Sequence, residues 1–110
     1  MEQEKIIFDS ITNNMEQEHD SVILGKMMSS PGVKYKNKVF AFYHNKDIIF
    51  KLGKDFDITS MGITNYSLLN PFKNKPPLKG WYVVPFEYQD KWENLCKKAL
   101  EVIRQEVDEK

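Results

Sequence analysis

The chain has a single cysteine, two histidines and no long apolar run. Cys96 has no partner for an internal disulfide, which makes a reducing, cytoplasmic location the expectation. Apolar runs are only a few residues long, far short of the roughly 18 that a membrane-spanning helix needs. The acidic opening MEQEK is unlike the basic flank of a secretion signal. His19 and His44 are far apart, and no Cys-x-x-Cys or His-x-x-x-His pair exists, so neither a metal nor a cofactor is expected. Gly25, Gly32, Gly53, Gly62 and Gly80 are scattered rather than gathered into a phosphate-cradling loop, and no serine lies in a Gly-x-Ser-x-Gly elbow. Arginine is missing from residues 21–85, where all the bases are lysines. A lysine is a point charge without the planar fork that reads a base edge or grips a phosphate with two bonds. Together these absences leave little equipment for catalysis, and a non-enzymatic protein is expected.

The 110 residues suit one domain with a real core, and the hydrophobic share of 41% beside a charged share of 29% is ordinary for a globular chain. The formal net charge is zero but unevenly spread. Residues 1–20 hold six acids and one lysine, residues 21–85 ten lysines and three aspartates, and residues 86–110 seven acids and five bases. The middle of the chain is therefore basic and its ends acidic, which suits helices and a sheet with solvated faces of opposite sign.

The most ordered pattern runs from Met27 to Leu52, where apolar residues alternate with lysines between turn signals at Ser29-Ser30-Pro31-Gly32, Lys36-Asn37-Lys38 and His44-Asn45-Lys46. Such alternation marks antiparallel strands with one dry and one wet face. Strands are predicted over Val22 to Met28, Val33 to Lys36, Val39 to Tyr43, Asp47 to Leu52 and Trp81 to Val84, with a further edge strand within Tyr66 to Phe72. Strict alternation would send Phe40 and Phe42 to one face and Val39, Ala41 and Tyr43 to the other, marking this strand as central. Residues 2–17 read as a helix with Ile7, Phe8, Ile11 and Met15 on one face. Phe56, Ile58 and Met61 before Gly62 suggest a short helix closed by a glycine cap. The C-terminal helix carries the apolar stripe Trp92, Leu95, Cys96, Ala99, Ile103 and Val107, with Asp90 and Glu93 spaced as a capping box. A stripe of that width needs the sheet to cover it, and Cys96 within it reads as a buried, inert thiol.

Several of these segments resemble the TfoX/Sxy N-terminal-domain family. Met27-Met28-Ser29-Ser30, Val33 to Tyr35, Lys36-Asn37-Lys38 and Phe40-Ala41 follow the order of that family's opening turn, strand, second turn and Phe-Ala strand. Ile48-Ile49-Phe50-Lys51, Pro71-Phe72, Trp81 to Pro85 and Glu87 to Asp90 resemble its later elements, so the likeness spans roughly residues 20–103. Serines stand where two glycines are usual, and Met28 where phenylalanine is usual. The YjbR/MmcQ-like family, which shares the Phe-Ala strand and following lysine, is the second choice. The resemblance implies an α+β domain over 1–110. It would be a two-layer, secretion-chaperone-like fold, with an antiparallel sheet of about five strands and N- and C-terminal helices packed on it. It brings no catalytic residue. Longer members carry a C-terminal helical domain that is not in this sequence, so their role in competence regulation is not carried over.

Aromatic residues are numerous, and Tyr35, Tyr43 and Tyr82 near Lys34, Lys36 and Lys79 form the candidate binding face. Aromatics with lysines on a sheet suit either a single-stranded nucleic acid or a docked protein segment. The all-lysine composition and zero net charge favour a protein partner, a second copy included, with nucleic acid as the first alternative, an enzyme with a pocket around His44 or Cys96 as the second, and no membrane association.

Overall fold

The computed structural model describes residues 3–27, 30–44, 46–69 and 78–108, and the side chains among them other than those of residues 27, 78 and 79. The expected segments Met28-Ser29, Asn45, Pro71-Phe72 and Pro76-Pro77 lie outside the described residues.

Among the described residues, two α-helices and six strands follow one another as α1 (Gln3–Glu18), β1 (Val22–Met27), β2 (Ser30–Tyr35), β3 (Lys38–His44), β4 (Asp47–Lys51), β5 (Ser67–Leu69), β6 (Leu78–Val84) and α2 (Gln89–Asp108). The strands form one antiparallel sheet in the order β1-β2-β3-β4-β6-β5, with β1 and β5 at the edges. The fold is α+β, an antiparallel sheet with an N-terminal and a C-terminal helix. One hydrophobic cluster joins Phe8, Ile11 and Met15 of α1 and Trp92, Leu95, Cys96, Ala99, Leu100 and Ile103 of α2 to residues of β1–β4 and β6. The predicted stripe of α2 is thus covered at every position but Val107, which is half-buried. Trp92 sits at its centre, fully buried, with its ring edge-on to Phe86 and its indole N–H donating to the Val84 carbonyl at 3.2 Å.

Three local expectations are corrected. Pro31-Gly32 is not a turn: Pro31 pairs with Lys26 and Gly32 with Gly25 inside the β1–β2 ladder. The pairing of β2 with β3 starts only at Gly32 opposite Phe42, because Pro31 has no N–H to offer that neighbour. Phe40 does not share a face with Phe42. The register passes from Val33↔Ala41 to Lys34↔Val39, so Phe40 is an extra, bulged residue, and it joins Ala41 and Tyr43 in the helix-side cluster. Phe42 stays out of that cluster, buried beside Trp81 with ring centroids 5.8 Å apart. Asp90 lies inside the first turn of α2 rather than at its cap, because the 3-10 turn Phe86–Tyr88 after Pro85 leads straight into the helix at Gln89. There its charge still favours the positive end of the helix dipole.

Two glycines take positive φ angles where the local structure requires them. Gly62 closes the short 3-10 helix Ile58–Met61 in the left-handed conformation, as its position predicted. Gly80, at φ +94°, lies so close to Gly53 that an added Cβ would stand 3.3 Å from the Gly53 carbonyl carbon. The Gly80 carbonyl accepts the N–H groups of Leu52 and Gly53 at 2.8 and 3.2 Å.

Candidate interaction surface

The six residues expected to form a binding face do not converge. Tyr35, Tyr43 and Tyr82 each belong to the buried cluster on the helix side of the sheet. Tyr35 donates its hydroxyl to Asp108 at the end of α2 at 2.7 Å. Tyr43 packs its ring against Phe8 of α1, with centroids 5.8 Å apart. Tyr82 donates to the carbonyls of Gly53 and Phe56, and burial raises its phenol above the ordinary value. A tyrosine has an apolar body and one polar tip, so it can be buried wherever a partner for the hydroxyl lies at the rim. Lys36 is exposed but pairs with Asp108 at 2.9 Å, an arrangement that raises its pKa. Lys34 is half-exposed, and its stem lies across Gly25 of β1, where an added Cβ would collide with the Lys34 Cε. The Lys79 side chain lies outside the described residues.

Groups with catalytic potential are equally dispersed. Cys96 is fully buried, and desolvation, aided by nearby Glu93, pushes its thiol up from 9.0 to about 12. His44 is exposed at the end of β3, with its Nδ1 3.1 Å from Ser30 Oγ. His44 also pairs in the ladder with Asp47, whose carboxyl is raised by burial and lowered in part by the histidine. The neighbouring cavity, about 220 Å³, is lined by Asp47, Asn65, Tyr66, Ser67, Val83 and Pro85 and by neither Ser30 nor His44. A larger groove of about 490 Å³ runs between α2 and the β4 corner, but its Lys51 is already paired with its Glu106 at 2.9 Å. Among the described residues no group of three or more metal-ligating side chains occurs, and no helix is long and apolar enough to cross a membrane.

The surface that stands out is the β1 edge. Among the described side chains, Ile23 and Leu24 are the exposed large aliphatic residues of the sheet, at 44% and 46%. They point to opposite sides of the strand, Leu24 opposite Val33 and Ile23 opposite Lys34. The Val22 N–H turns away from the ladder to the His19 carbonyl, and the Leu24 N–H meets only the exposed Glu16 carboxylate at 3.4 Å. By the alternation of an antiparallel pair, the Lys26 N–H also faces outward. Sequence reasoning missed this surface because Val22 to Met28 reads equally well as an inner strand. The one available signal was the Gly25-Lys26 step, where the apolar run weakens.

Compared with known protein families, characterised proteins and solved structures, the chain has no significant match.

Proposed function

We propose that the chain is a non-enzymatic interaction module, a divergent relative of the TfoX/Sxy N-terminal type, that docks an extended protein segment along β1. The observation that carries this reading is the exposure of Ile23 and Leu24 beside an outward Leu24 N–H that meets an exposed carboxylate at 3.4 Å. An added strand gains main-chain hydrogen bonds from such an edge, and side chains on alternate faces supply specificity. The burial of Tyr35, Tyr43 and Tyr82 favours this reading over nucleic-acid binding, which needs aromatic faces open for base stacking. The dispersal of Cys96, His44 and the cavities favours it over catalysis.

The test is selection from a displayed library of extended peptides, with the Leu24→Lys variant as counter-selection. Peptides that bind the wild type, lose affinity for the variant and slow exchange of the Leu24 amide are the expected result. Binders indifferent to Leu24→Lys would refute docking at this edge.

A further inference from the structure

We propose that the segment docking on β1 is the β1 strand of a second copy, paired antiparallel about a two-fold axis at Leu24. This rests on the edge-docking reading above and adds the partner's identity. The outward residues are Val22, Leu24 and Lys26, so a two-fold axis through Leu24 makes Leu24 its own partner and sets Val22 opposite the second copy's Lys26. A two-fold contact must be self-complementary, and three properties of this strand meet that demand.

The first is charge. The N-terminal end of β1 follows Glu16, Glu18 and Asp20, whereas its C-terminal end carries Lys26, and all four are exposed. Antiparallel pairing brings each acidic end to a basic end, while parallel pairing would bring like charges together. The second is shape. In this register Ile23 stands opposite Gly25 of the other copy, and each Gly25 is already roofed by the methylene stem of its own Lys34. The aliphatic Ile23 side chain thus meets an apolar stem laid over a residue that has no side chain of its own. The third is hydrogen bonding. Two outward Leu24 residues exchange N–H and carbonyl groups across the axis, and the only group to displace from the Leu24 N–H is the Glu16 carboxylate, which can stay in solvent. Leu24 side chains then bury one another on the helix side of the joined sheet.

Sedimentation of the purified chain from about 10 μM to about 1 mM tests this, with amide exchange at Val22, Leu24 and Lys26 followed alongside. A concentration-dependent dimer that protects Leu24 and Lys26 is expected. Leu24→Lys, which sets two ammonium groups across the axis, should weaken it at least about tenfold without changing the monomer's circular dichroism. Lys26→Glu should also weaken it, and adding Asp20→Lys should restore it. Glu16→Ala should leave the dimer at least as tight. A monomer throughout the range, a dimer indifferent to Leu24→Lys, no rescue by the charge swap, or a looser dimer with Glu16→Ala would each overturn the proposal. If the chain is monomeric but the peptide selection yields Leu24-dependent binders, the second copy is excluded and edge docking stands.

Discussion

Trp92 and Cys96 occupy the same buried stripe and bear different kinds of constraint. Trp92 fills the centre of the core and satisfies the Val84 carbonyl. Trp92→Ala should cost about 3–5 kcal/mol, the usual range for emptying a large aromatic site. Urea unfolding followed by circular dichroism measures this without interference from the second indole, Trp81. A midpoint equal to the wild type would mean that α2 is not docked as described. For Cys96 the constraint is on charge. Its thiol titrates near 12 in the fold against 9.0 as the ordinary value, so the folded protein holds the proton more tightly. The sign follows: this contribution is complete below pH 9 and is lost as pH rises toward 12. Thiol reagents should leave the native protein unlabelled at neutral pH and react fully in denaturant, and labelling at equal rates in both would contradict the burial. The stripe itself was legible from three- and four-residue spacing. The tyrosines were not, because amphipathic side chains satisfy a core position and a surface position equally well in one dimension.

At the scale of elements, the last turn of α2 is tied to the β2–β3 hairpin. Asp108 accepts from the Tyr35 hydroxyl at 2.7 Å and from the Lys36 ammonium at 2.9 Å, and these two bonds, in that order, hold its carboxyl below the ordinary 3.8. A lowered carboxyl stabilises the fold above its ordinary pKa, and the benefit fades as pH falls below that value and the carboxylate is protonated. Asp108→Asn should therefore speed amide exchange in the last turn of α2 at neutral pH and leave the turns around Trp92 unaffected. The difference from wild type should shrink as the medium is made acidic, whereas a pH-independent difference would assign the effect to shape rather than charge. Helices and strands were largely readable because each has its own period. Their junctions were less so. The bulge at Phe40 breaks the alternation from outside the strand, through its pairing with β2, and the entry to α2 depends on a 3-10 turn that resembles a cap in sequence spacing.

For the molecule as a whole, strand order was the least legible property. Consecutive strands β1 to β4 pair in sequence, as tight turns predict, but β6 inserts between β4 and β5. That choice is set by long-range contact, Phe50 against Tyr82 and Ile48 against Val84, rather than by any local signal. The insertion makes β5 one edge of the sheet, while β1, paired only with β2, forms the other and carries the candidate surface. The role of α1 then decides how rigid that edge is, since the His19 carbonyl just past its end holds the Val22 amide and the Glu16 carboxylate the Leu24 amide. Phe8, 2% exposed against Tyr43, belongs to the same cluster as the α2 stripe, so α1 should unfold with the rest and not ahead of it. Phe8→Ala should lower global stability by about 3–5 kcal/mol, with transitions by circular dichroism and by tryptophan fluorescence still coincident. A variant in which helical signal is lost first, while Trp81 and Trp92 report an intact core, would make α1 a separately melting flap and the β1 edge a surface uncovered by its departure.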